Sequence, residues 1–126
     1  MKNFQIGDDI YSLLTHDEAV AWYVGDSIFP LVAPAETSYP FIVYRRGGYA
    51  ADGDNKDNLA GEQCTIDLAI VDPSYSKSVQ IANAVADALQ GARTDRIYRM
   101  WMTGASEDFT DDAMVQRLTF TCILTE

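Results

Sequence analysis

Basic residues, histidine, cysteine and long apolar runs are all scarce in this chain, and each scarcity closes a class of function. Nine lysines and arginines face nineteen aspartates and glutamates in 126 residues, a formal net charge of −10. Proteins that grip nucleic acid present a basic stripe that displaces counterions from phosphates. An acidic surface keeps a protein soluble and lets it slide past DNA without holding it, so specific nucleic-acid binding is not expected. One histidine, His16, and two cysteines, Cys64 and Cys122, cannot supply the usual four ligands of a zinc site. Both cysteines fall in strand-like segments and read as buried thiols that pack as small hydrophobes in a reducing interior. No apolar run approaches the ~20 residues that cross a bilayer. The opening stretch MKNFQIGDD lacks the apolar core of a signal peptide. Neither a membrane partner nor export by the general route is expected.

The sequence signatures of catalysis are missing as well. Gly47-Gly48 is an isolated pair followed by Tyr49, with no helix pattern behind it, so it is not a phosphate-binding loop. There is no G-x-S-x-G elbow and no second histidine to activate a nucleophile. The carboxylate pairs Asp8/Asp9, Glu107/Asp108 and Asp111/Asp112 sit in polar or terminal contexts, where solvation leaves a carboxyl without the raised pKa that acid–base work requires. His16 lies beside a helix cap and reads as structural. The polar stretch over residues 51–62, ADGDNKDNLAGE, has Asp52 and Asp54 at calcium-loop spacing. It then places Lys56, Asp57 and Gln63 where that loop needs an oxygen ligand, a glycine and a glutamate. It reads as a flexible hairpin loop. No enzyme, cofactor or metal is expected.

What the chain does have is a strand followed at once by a helix. Over residues 64–71, Cys64, Ile66, Leu68 and Ile70 alternate with Thr65, Asp67 and Ala69, the period of a strand with one apolar face. Beyond Asp72-Pro73, the residues Tyr75, Val79, Ala82, Val85, Ala86 and Leu89 recur at helical spacing. Asp72 is the expected cap, and Gly91 is expected to end the helix in a left-handed conformation. Two apolar faces of this kind must cover one another or a shared sheet, which makes an α+β core.

The remaining segments extend that core. Ile6, Ile10 and Leu13 predict an amphipathic helix over residues 3–14, with Gly7 loosening its first turn. Thr15-His16-Asp17-Glu18 has the form of a capping box that opens a second helical piece through Trp22. Strands are expected over residues 27–32, confined to an edge by Pro30, and over 41–44, buried on both faces. Two more follow over 96–103 and 114–124, separated by an acidic turn over 104–112. The order is α-β-β-β-α-β-β in one domain spanning residues 1–126. Short connections favour a mostly antiparallel sheet of about five strands with two main helices on one face.

Arg45, Arg46 and Tyr49 stand beside the polar loop, and Arg93, Arg96 and Arg99 gather around the fourth strand with Trp101. Arginine and large aromatics are enriched at protein interfaces. Arg45, Arg46, Tyr49, Arg99 and Trp101 are therefore the candidate interface residues; the plain alternative is that the arginines balance nearby carboxylates.

Read end to end, the chain resembles the tail-completion (tail-terminator) family of long-tailed bacteriophages and prophages. The likeness is carried by the helix ending in Leu13-Leu14, then Val24-Gly25-Asp26, Ile28-Phe29-Pro30, Ala33-Pro34 and Pro40-Phe41-Ile42-Val43-Tyr44. It continues through the strand over residues 66–71, then Ile81-Ala82, Val85 and Leu89, and the final alternating strand. Residues 24–44 are its most distinctive part, whereas the insert over 51–62 is less characteristic and suits recognition of this member's own partners. The resemblance implies a structural protein that terminates the tail tube and joins it to the head connector. It implies a ring, commonly a hexamer, without cofactor or catalysis, found in the virion tail and in host cytoplasm during assembly. Its partners would be further copies of itself, the tail tube and the connector, with DNA passing through. Two other readings stay open: an intracellular protein-binding adaptor or ligand-binding domain of similar fold, and a small enzyme whose site assembles in space.

Overall fold

The alternation in the central strand and the stripe in the following helix organise the whole molecule. The computed structural model describes residues 1–51 and 62–125. The expectations placed on residues 52–61, the hairpin loop and its calcium-like spacing, lie outside the described residues. Three helices, α1 (Lys2–Thr15), α2 (Glu18–Val24) and α3 (Tyr75–Leu89), accompany five strands. These are β1 (Ile28–Pro30), β2 (Phe41–Ala50), β3 (Gln63–Asp72), β4 (Ile97–Thr110) and β5 (Ala113–Leu124). The strands form one sheet in the order β1-β2-β3-β5-β4. The α+β class is as expected, and the sheet is mixed: β1 runs parallel to β2, while the other three pairings are antiparallel.

One face of the sheet is covered by helices and the other is not. Cys64, Ile66, Leu68 and Ile70 of β3 point into the core with Leu118, Phe120, Cys122 and Leu124 of β5. Helix α1 packs over β1 and β2, α3 packs over β3 and β5, and α2 wedges against both other helices. Ile6, Ile10 and Leu14 of α1 and Ile81, Val85 and Leu89 of α3 close the core. Each buried side chain of this size contributes about 1.5–3 kcal/mol relative to exposure. The helices therefore hold the sheet through one apolar face.

Several local expectations are corrected. Helix α1 runs without interruption past Gly7, because burial of Ile6 and Ile10 outweighs the weak propensity of one glycine. Helix α2 is capped by Asp17, which accepts from the Val20 amide at 3.0 Å. Thr15 instead donates to the Tyr11 carbonyl at 2.8 Å, closing α1. Helix α3 begins at Ser74, whose side chain accepts from the Lys77 amide. The buried Asp72 accepts from the Ser74 amide at 2.9 Å, a turn that sets up the cap without being it. Gly91 does adopt a left-handed φ of 75°. The buried stripe of α3 is Ser78, Ile81, Val85 and Leu89, which leaves Tyr75 and Val79 exposed at its edge.

The strands are longer than their apolar runs. In β2, Ile42 and Tyr44 are buried but Phe41 and Val43 are half-buried, so the run over 41–44 has one core face and not two. The strand continues to Ala50 through an irregularity between Arg46 and Tyr49. There, a side chain at Gly47 would sit 2.1 Å from Thr65 Oγ1, while Thr65 Oγ1 accepts from the Gly48 amide at 2.7 Å. The stretch over residues 104–110, expected as a turn, belongs to β4; the turn itself is Asp111-Asp112, with Asp111 at φ 55°. Polar residues on both faces of β4 hide the strand period there, because residues 105–110 are all exposed. A shift between Ile97 and Arg99 lets Ile97 and Met100 both reach the core, breaking the simple alternation.

Candidate assembly surface

The face of the sheet away from the helices is a shallow polar floor. The register places Val43, Arg45, Asp67, Ala69, Arg117, Thr119, Thr121 and Trp101 on this side. Twist and the irregularity between Met102 and Gly104 make it concave, forming a groove of about 640 Å³. Leu31, held at φ 68° and largely exposed, lines it with Val43, and residues 104–106 of β4 line it too.

Charges in the groove are matched within the chain. Arg45 Nε lies 3.4 Å from Asp67 Oδ2, and Thr119 Oγ1 donates to Asp67 Oδ1 at 2.9 Å. Arg117 lies 3.6 Å from Asp108. Such half-exposed pairs contribute at most about 1 kcal/mol each to folding. Their exposed guanidinium groups can be recruited by a partner at little cost to the fold.

The five candidate residues divide between the two faces. Arg45, Arg99 and Trp101 lie on the bare face, but Arg45 is on β2 whereas Arg99 and Trp101 are on β4, the opposite edge strand. Three inter-strand spacings, about 14 Å, separate these strands. Arg99 stacks on Trp101 with its guanidinium 5.0 Å from the ring centre. Arg46 and Tyr49 lie on the helix side, in the part of β2 that extends past the core. Arg46 sits over Phe4 of α1 at 5.1 Å, and Tyr49 donates to Glu62. The two further arginines are engaged locally: Arg93 lies over Tyr98, and Arg96 bonds to the buried Asp9 at 2.5 Å. Thr94 also donates to Asp9, so Arg96 ties α1 to the start of β4 and is not available as a surface group.

A hairpin arm, flanked by β3 along β5 and open along the outer edge of β4, completes the surface. Beyond Met102, β4 and β5 pair as a hairpin whose β4 residues 105–110 are all exposed, with Phe109 at 59%. The inner half of the outer edge of β4 is occupied: Gly91 N donates to Met100 O, and Met102 N donates to Gln90 Oε1. Among the described residues no backbone partner occupies the outer edge over residues 104–110. Three phenols brace the surroundings by donating to carboxylates: Tyr39 to Asp112, Tyr49 to Glu62 and Tyr75 to Glu107. Each bond holds the phenol pKa above its ordinary value, and that from Tyr75 holds Glu107 below the ordinary carboxylate value. Sequence reasoning missed the arm, Asp67 and Arg117, whose signal is visible in the polar residues of β3 and β5 that alternate with the core. It also passed over Trp22, 80% exposed on α2 and packed edge-on against Tyr23.

Among the described residues, no three histidine, cysteine, aspartate or glutamate side chains converge to hold a metal ion. Nor is any described helix long and apolar enough to cross a membrane.

Comparison with known proteins supplies the missing context. Residues 8–125 match the sequence profile of the family described as "Tail completion protein gp17". Fourteen chains of solved structures match the fold. One belongs to a structure described as "Virion of native gene transfer agent (GTA) particle"; it aligns with a TM-score of 0.71 at 20% identity, over 91% of this chain and 90% of that one. No curated protein sequence matches.

Proposed function

Because this chain belongs to the tail completion protein gp17 family, we propose that it terminates a phage or prophage tail tube and joins the tube to the head connector as a ring of identical copies. Its coarse role follows from the family: it is a structural phage tail protein and not an enzyme. The profile match over residues 8–125 is the observation that carries the proposal. The shared fold with a chain of a gene transfer agent virion is consistent with a place in the virion tail.

The surface supports a ring in a specific way. A ring requires a heterologous contact, one patch on each copy meeting a different patch on the next. The bare concave face and the exposed outer edge of the hairpin arm are two such unlike patches on one subunit. The open edge over residues 104–110 offers backbone groups that a neighbour can pair with. Arg45, Arg99 and Trp101 border the first patch; Arg46 and Tyr49 stand on the opposite side and would meet the tube or connector instead. A hexamer, which the resemblance implies, is the ring size to test first. With a net charge of −10, a lumen lined by acidic residues would let DNA pass without sticking.

Electron microscopy of the concentrated protein, and of tail tubes incubated with it, tests the reading. Rings or capped tube ends support it, whereas a protein that stays monomeric at high concentration and never associates with tubes overturns it. Arg46→Glu and Trp101→Ala should reduce assembly while leaving the circular dichroism and melting transition close to those of the parent; normal assembly in both removes these residues from the interface. Genes for portal, major tail and tape-measure proteins beside this one would favour the tail role over an adaptor domain of similar fold.

A further inference from the structure

We propose that Cys64 and Cys122 form a cross-strand disulfide when the protein meets a peroxide, a covalent staple between the two central strands. The register places the two residues directly opposite each other on β3 and β5. Directly opposed residues in antiparallel strands have Cα atoms about 4.5–5.5 Å apart, within the roughly 4.4–6.8 Å a disulfide spans. Both side chains point to the helix-covered face, and both are buried, at 1% and 0% exposure. From directly opposed positions they therefore face each other in the same confined space.

The pair is chemically asymmetric. The Cys122 thiol donates to Cys64 Sγ, and Arg46 adds positive potential, so the Cys64 thiol ionises more readily than an ordinary cysteine despite its burial. The same hydrogen bond, reinforced by burial, keeps the Cys122 proton in place. Cys64 is the nucleophile. It also lies at the second residue of β3, opposite Tyr49 and past the irregularity in β2, and a small reagent would reach it by local opening of that strand end.

The reaction balances with hydrogen peroxide as oxidant. Cys64 Sγ attacks one peroxide oxygen, the O–O bond breaks, and the departing hydroxide takes the thiol proton as water, leaving a sulfenic acid. Cys122 Sγ then attacks Cys64 Sγ; the S–O bond breaks and the second water carries away the Cys122 proton. Two thiols are oxidised and one peroxide is reduced to two waters. The product closes a loop running from β3 through α3 and β4 to β5, which limits the unfolded chain far more than the folded one. This inference concerns the chain alone and stands independently of the ring.

The test is to treat the native protein with hydrogen peroxide, quench, denature in iodoacetamide and map peptides without reductant. The expected result is loss of both alkylatable thiols and a Cys64–Cys122 linked peptide pair that separates on reduction, in a protein that remains a single chain on a non-reducing gel. The melting midpoint should rise on the order of 10 °C and return on reduction. Alkylation of both cysteines, a sulfinic acid on Cys64 beside a free Cys122, or a link between two copies would each overturn the proposal. In Cys122→Ser, which removes the resolving thiol but keeps a hydroxyl donor beside Cys64, Cys64 should stop at the sulfenic acid and be trapped by dimedone. A Cys64 that stays a thiol in that variant would overturn its assignment as the attacking group.

Discussion

The two faces of one sheet obey different rules although they share the same strands. On the helix side, Ile66, Leu68, Phe120 and Cys122 are sealed by α1 and α3. On the bare side, their immediate neighbours Asp67, Thr119 and Thr121 form a polar floor. Successive residues along β3 and β5 thus alternate between holding the fold and facing outward. Stability and assembly can vary independently in such a design, because a change at one position leaves its neighbour's environment intact. The difference also divides the hairpin arm: Ala113, Val115 and Gln116 of β5 are buried, whereas residues 105–110 of β4 are exposed and contribute surface.

That contrast can be broken first at its extreme. Phe120→Ala should cost about 3–5 kcal/mol of unfolding free energy, because it opens a cavity beneath the helices. Thr121→Ala, one residue along on the bare face, should stay within about 1 kcal/mol. Urea denaturation of the two variants measures both, and equal losses would show that the two faces do not differ in this way. A second pair compares arginines. Arg96→Ala leaves the buried Asp9 without its ion pair and should cost about 2–3 kcal/mol. Arg45→Ala removes an exposed pair with Asp67 and should cost less than about 1 kcal/mol while weakening assembly. Thermal unfolding combined with sedimentation separates the two effects.

Gly47→Ala sharpens the comparison at the point where β2 leaves the core. The added methyl would lie 2.1 Å from Thr65 Oγ1 and displace its bond to the Gly48 amide. A loss of about 1–3 kcal/mol is expected, and Gly48→Ala, where a side chain meets nothing within 4 Å, is the matched control. The smallest effect concerns pH. The bond from Tyr75 lowers the Glu107 pKa in the folded protein. Its stabilisation is therefore full above the ordinary carboxylate pKa and fades as the pH falls through the lowered value. Tyr75→Phe should move the Glu107 midpoint upward in an NMR titration and flatten that acid limb slightly.

How much of this was legible in the sequence depended on whether a residue's environment was local. The strand at Cys64, Ile66, Leu68 and Ile70 and the left-handed Gly91 follow from period and φ preference, and both are found. The parallel pairing of β1 with β2 depends on how a ten-residue connection folds over the sheet, which no period encodes. Likewise, Arg96 looked like its neighbours Arg93 and Arg99 because its partner, Asp9, is on a helix at the far end of the sequence. The arm escaped because Ser106, Glu107 and Asp108 carry turn-like composition, while their strand state comes from pairing with Arg117, Gln116 and Val115. The family resemblance compensated where period failed, since residues 24–44 carry it and the profile match spans them.

The central claim, that this subunit closes tail tubes as a ring, is tested most directly by cryo-electron microscopy of tail tubes mixed with the purified protein. The account predicts a ring of identical copies seated on one end of each tube, with the β4–β5 arm of each copy against the bare sheet face of the next. Tubes whose ends remain open at saturating protein would contradict it.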